Sequence, residues 1–207
     1  FAGTYPNLIA AYGKAGRIDD AIATGRKGVE IAPAYPEIRY NLALHLLKAG
    51  EWDEGWQAYT YRWACAKFPS PRMKTDQPQW MGEDLDGKTI LIFSEQGHGD
   101  TIMISRYVAL VAPLAKRTIW VVQDGLQKLA KHLVPTAHVV GWGEQPGEFD
   151  VWTPTYNLPM LFGTTPGTTP PPVEWKRLPA IGGEGGIGVC YAGSAIHRND
   201  ANRSAKA

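Results

Sequence analysis

Shifted by 34 positions, the opening of the chain overlays itself, and that repeat restricts its folding more than any other feature. Asn7-Leu8 meets Asn41-Leu42, Lys14-Ala15-Gly16 meets Lys48-Ala49-Gly50, and Asp19-Asp20 meets Asp53-Glu54. Ile18 and Ile22 meet Trp52 and Trp56. Each unit reads as helix, glycine turn, helix. Gly16 and Gly50 fall where a helix must end in a left-handed residue, which glycine adopts without steric cost. Asp19 and Asp53 fall in the first turn of the following helix, where the dipole favours negative charge. Pro33 closes the first unit because proline cannot continue a helix interior.

Tyr5, Leu8, Tyr12, Ala21 and Pro33 resemble a tetratricopeptide repeat in type and spacing, and the second copy keeps Leu42, Leu46 and Gly55. The repeats are placed at about residues 4–36 and 37–67, within a helical part spanning 1–67. The second copy departs at its end, where Arg62 and Lys67 replace the expected small residue and proline. Its second helix is aromatic: Trp56, Tyr59 and Trp63 recur on one helical face. That stripe reads as a docking face onto the next domain, with a free binding surface as the other reading. Two repeats make a small stack, so either further repeats precede it or the next domain caps it.

Residues 68–88 are punctuated by Pro69, Pro71, Pro78, Gly82 and Gly87 and read as an irregular linker anchored by Trp80. From Thr89 the pattern changes. Thr89–Ser94, Thr118–Val122, His138–Trp142 and Phe149–Trp152 read as strands, with helices predicted over 101–116 and 126–133 and a short one near Pro159–Leu161. Strand alternating with helix implies a parallel, doubly wound sheet over 89–180. Pro and Gly crowd residues 163–186. Ile187–Gly193 then reads as the first strand of a second domain, 181–207, truncated by the end of the chain. The opening at Phe1 likewise reads as a cut end.

The turn Gly97-His98-Gly99-Asp100 lies at the C-terminal end of the first strand, the edge where such sheets bind ligands. A dinucleotide loop does not fit. The third glycine would be residue 102, which is Ile102, and the Asp100 carboxylate would occupy the place of a pyrophosphate. A carboxylate there suits a neutral hydroxyl that it orients or deprotonates. Spacing leaves a second role open, since Asp also caps helices.

The string Glu95-Gln96-Gly97-His98-Gly99-Asp100-Thr101-Ile102, with Arg106-Tyr107 behind it, resembles the first strand–turn–helix of a bacterial group. That group fuses tetratricopeptide repeats to a glycosyltransferase of the two-Rossmann (GT-B) type. Trp80, Gly82, Leu85, Gly87 and Lys88 match before the strand. Phe149-Asp150, Leu158-Pro159 and Phe162-Gly163-Thr164 match after it, as do Ala192–Ser194, His197–Asp200 and Asn202–Ser204. The turn is also similar to that of the heptosyltransferases.

The resemblance implies two repeats followed by the N-terminal Rossmann-like half of a GT-B fold. It implies transfer of a hexosyl or heptosyl group from a nucleotide-sugar to a protein or glycan acceptor. Asp100 would be the base, and Gln96, Gly97, His98 and Gly99 would line the acceptor cleft. Gly193, Ser194, His197, Arg198, Asn199 and Arg203 would face the donor, the arginines meeting its diphosphate. The repeats would bind a protein partner. No metal or cofactor is implied beyond the donor substrate, and a chain lacking the second half would be inactive. The rival is a non-enzymatic repeat scaffold with a degenerate α/β domain. A nucleotide-dependent oxidoreductase is the weaker third reading.

A net charge of +1 with scattered basic residues gives no footprint for nucleic acid. The apolar run 102–115 is broken by Arg106 and Pro113 and is too short to span a bilayer. Cys65 and Cys190, far apart, suggest a reducing, cytoplasmic setting without a disulfide framework.

Overall fold

The structure is a computed structural model describing residues 2–173. Four helices come first: α1 Thr4–Lys14, α2 Ile18–Ile31, α3 Pro36–Ala49 and α4 Trp52–Tyr59, the last running into a 3-10 turn at Thr60–Ala64. Each packs on the next. Gly16 and Gly50 are left-handed, with φ 75° and 88°. Asp19, Asp20, Asp53 and Glu54 sit in first turns. Ile9, Ala21 and Ile38 form one buried cluster, and Ile22, Leu42 and Leu46 a second. Leu8, the counterpart of buried Leu42, is exposed, since no described helix precedes α1 as α2 precedes α3.

The repeat register explains the glycines of α2. A Cβ on Gly25 would meet Leu42 at 2.8 Å, and one on Gly28 would meet Tyr5 at 2.8 Å and Ile38 at 2.9 Å. Those positions stay small because α1 and α3 lie directly on them. Thirty-four residues on, the same positions are Tyr59 and Arg62. Here the added neighbours are residues 95–96 and 156–157, just beyond the ends of two strands, and large side chains fill the gap. The helical and sheet parts belong to one unit, Phe1–Trp175.

The sheet is parallel throughout, in the order β3-β2-β1-β4, with β1 Thr89–Phe93, β2 Arg117–Val122, β3 His138–Gly141 and β4 Val151–Pro154. Its helices are α5 His98–Val111, α6 Gln127–Leu133 and α7 Leu158–Leu161. The chain steps outward from β1 to β3 and returns to β4 on the other side of β1, so the order reverses between β1 and β4.

Alternation along the strands sorts two faces. Ile90, Ile92, Trp120, Val122 and Val139 pack with Ile104, Val108 and Val111 of α5, Leu133 of α6 and Leu158 of α7. Leu91, Phe93, Ile119, Val121 and Val140 form the other face. A doubly wound sheet would carry helices there as well. Among the described residues it is instead covered by Met73, Trp142, Phe149 and Trp152, because the β3–β4 connection is a loop. Each fully buried Leu, Ile or Val in these faces contributes roughly 1.5–3 kcal/mol.

Residues 65–88 form a strap rather than a free linker. Trp80 and Leu85 are buried in the helix-covered core. The Trp80 amide donates to the Trp152 carbonyl at 2.7 Å and the Trp152 amide to the Pro78 carbonyl at 3.1 Å. Gln79 therefore pairs in parallel with Trp152 and shields the β4 edge. No described helix is long and apolar enough to cross a membrane.

Candidate functional site

In open parallel sheets the crevice between the strands at which the order reverses is the ordinary ligand site. Here it is bounded by residues 94–100 after β1 and 155–157 after β4. Gln96 takes φ 68°, a left-handed conformation that costs a non-glycine residue on the order of 1 kcal/mol. Three elements hold it there. Its amide donates to Ser70 Oγ of the strap at 2.8 Å, and its Nε2 donates to the Tyr59 hydroxyl at 2.7 Å. Gln123, just beyond β2, donates from Nε2 to the carbonyls of Gln96 (3.2 Å) and Gly97 (3.3 Å). Thr101 donates to Gln123 Oε1 at 2.7 Å and completes the clamp.

Asp100 is the third residue of α5. Its Oδ2 reaches back to accept from the Gly97 amide at 2.9 Å, so the side chain takes a donor that a bound phosphate would use. Its Oδ1 accepts from the Tyr156 hydroxyl at 2.5 Å. Burial, and next the hydrogen bond to Asp100, push the Tyr156 phenol well above its ordinary range, so it stays a donor. Burial likewise raises the Tyr59 phenol. Asp100 remains part-exposed, and two fixed donors leave lone pairs of its carboxylate free.

Gly97, His98 and Gly99 form the exposed lip of the crevice. A Cβ on Gly99 would meet none of the described residues within 4 Å. The ring Nε2 of His98 lies 3.4 Å from the Asp124 carbonyl. Ile102, where a dinucleotide loop would need its third glycine, packs against the core.

Beneath the turn lies a buried ion pair. Arg62 and Glu95 are both fully buried. The guanidinium donates from Nε to Oε2 at 2.7 Å and from Nη2 to Oε1 at 2.5 Å. Nη1 also donates to the Tyr59 carbonyl, and Nη2 to Asn157 Oδ1, each at 3.0 Å. Glu95 Oε1 accepts the Tyr156 amide at 3.0 Å. One side chain of the helical part thus ties together the ends of β1 and β4. The Trp56 indole adds a bond to the Thr164 carbonyl at 2.9 Å, and the Tyr59 ring meets Tyr156 with centroids 5.8 Å apart.

The structure therefore gathers Gln96, Gly97, His98, Gly99 and Asp100 on one edge. Gly193, Ser194, His197, Arg198, Asn199 and Arg203 lie outside the described residues. Sequence reasoning missed Tyr156, Asn157 and Gln123, which carry no motif. It noticed Arg62 only as a departure from the repeat. A long cation at a position that stays small in the first copy was the available signal.

No family model matches the chain. The chain is 34% identical over 109 residues to "Protein FlbA" of Caulobacter vibrioides. The match covers 51% of this chain and 18% of that protein, so the chain spans less than a fifth of the length of the relative it matches.

Proposed function

We propose that the chain is part of a glycosyltransferase of the GT-B type, in which tetratricopeptide repeats are fused to the acceptor-side Rossmann-like half. The observation that carries this reading is the Asp100 carboxylate, held by Gly97 and Tyr156 at the reversal point of the sheet. A carboxylate there disfavours a bound phosphate and suits an acceptor hydroxyl. Asp100 accepts the hydroxyl proton as the oxygen attacks the anomeric carbon, and the nucleotide diphosphate departs from that carbon. Tyr156 orients the base. Arg198 and Arg203 offset charge on the leaving diphosphate, with Gly193, Ser194, His197 and Asn199 around the donor. A nucleotide-sugar is the donor, a protein or glycan the acceptor, and the repeats recruit a protein partner. The setting is cytoplasmic.

A second reading has its own observation. Asp100 Oδ2 accepts the Gly97 amide, which is also what a helix-capping carboxylate does. On that reading the protein is a repeat scaffold with a degenerate α/β domain. Nucleotide-sugar turnover by the full-length gene product separates the two. The transferase reading expects Asp100→Asn to lower turnover by about a hundredfold or more, within the range of general-base catalysis. Turnover equal to wild type refutes the base, and absence of nucleotide binding favours the scaffold.

A further inference from the structure

A cleft of about 480 Å³ opens on the strap side of β4, and Asp100 is not among its walls. The 3-10 turn supplies Thr60 and Trp63, the strap Arg72 and Gln79, and the β4 segment Trp152 and Asn157. Indole and methionine surface therefore alternates with amides, a hydroxyl and the Arg72 guanidinium, and among the described residues no carboxylate lines the space.

Asn157 is 2% exposed, and its orientation is fixed by chemistry. A guanidinium only donates, so the atom that receives Arg62 Nη2 must be Oδ1. Its Nδ2 then has two N–H donors and no partner among the described residues. Arg62 is itself locked by two bonds to Glu95. The buried ion pair thus pre-orients an amide donor at the wall of the cleft. Trp63, also at that wall, has an Nε1–H that is buried without an acceptor among the described residues. Gln79 contributes a carboxamide whose Nε2, among the described residues, meets only the Met81 sulfur, at 3.7 Å.

We propose that this cleft binds a pyranose ring of an oligosaccharide, with Asn157 as its oriented donor and indole surface as its floor. A pyranose presents apolar C–H faces and an equatorial rim of hydroxyl acceptors, which match indole surface and unpaired N–H groups respectively. An extended polypeptide is the poorer fit. It would bind by adding to a strand edge, and the β4 edge is already taken by Gln79. A cation finds no carboxylate among the described walls and meets the Arg72 guanidinium. The cleft is independent of the transferase reading, because its ligand needs neither Asp100 nor a nucleotide.

The test screens the purified chain on an array of neutral and acidic glycans and of peptides. Calorimetric titration with maltotriose, N,N′-diacetylchitobiose and the strongest array ligand follows. The expected result is saturable binding of at least one pyranose oligosaccharide. Asn157→Asp keeps the acceptor for Arg62 but removes the Nδ2 donors, and should weaken binding about tenfold. Met81→Trp, from a position 52% exposed at the cleft, should block it without touching the core. Thermal melting of both variants close to wild type excludes unfolding as the cause. Asp100→Asn should bind the sugar as wild type does, so inactivity of the transferase leaves this result readable. Absence of every glycan from the array, binding of peptides alone, or wild-type affinity in both cleft variants overturns the proposal.

Discussion

Replacing Arg62 by Met is the sharpest test of how the helical part joins the sheet. The guanidinium makes four hydrogen bonds, two of them to a carboxylate that is also fully buried. Methionine fills much of the same volume but leaves Glu95 charged, out of water, with the Tyr156 amide as its remaining partner. Breaking a buried pair from one side costs about 3–5 kcal/mol, mostly the penalty of the stranded charge. With a urea slope of about 2 kcal/mol per molar, the unfolding midpoint should fall by roughly 1.5–2.5 M.

The double variant Arg62→Met/Glu95→Leu removes both charges. Replacing a buried pair by apolar residues is often neutral or better, so part of that loss should return. What remains are the Tyr156 amide and Asn157 Oδ1, each stripped of its side-chain partner at about 1–3 kcal/mol. The assay is urea unfolding followed by tryptophan fluorescence for wild type, both single variants and the double. The double should be more stable than Arg62→Met alone. A loss below about 1 kcal/mol in the single variant, or a double whose loss equals the sum of the two singles, would refute the reasoning.

Gly28→Ala should lower stability by about 1–3 kcal/mol, since the added methyl meets Tyr5 and Ile38 at under 3 Å; a wild-type melting temperature would show that α2 can shift to make room. Tyr156→Phe removes the donor to Asp100 and should lower turnover of the full-length protein more than its stability, which should change by about 1 kcal/mol. Burial pushes the Cys65 thiol up from 9.0 to about 11, so the native state holds its proton while the unfolded thiol ionises. Its contribution is complete below pH 9 and fades as pH rises towards 11, and Cys65→Ser should flatten the urea midpoint across that window.

The helices and strands were legible because their signals are local. Gly16 and Gly50 punctuate a 3.6-residue period, and runs such as Thr89–Phe93 admit few alternatives. The cover of the sheet was not, and the sequence pointed to helices on both faces, because periodicity says which residues are buried and not what buries them. Leu91 and Ile119 read like any core strand residues, yet among the described residues their cover is a methionine and aromatic side chains from the strap, β4 and the β3–β4 loop. Asp100 could be picked out by its place at the start of a helix, but Tyr156, its partner, is 56 residues away in sequence and sits in no recurring pattern.

Arg62 is the informative case between these extremes. Gly28 shows what its position does inside the stack, where only a hydrogen atom fits between neighbouring helices. A repeat that ends must present something else, because the surface beyond it is no longer a copy of itself. Tyr59 and Arg62 are the residues at which this repeat stops resembling its predecessor, and both reach the turn that carries Asp100. The same logic says where to look in any repeat fused to a globular partner. Positions that are small in the inner copies and large or charged in the last one mark the joint, and here the joint runs beneath the candidate site.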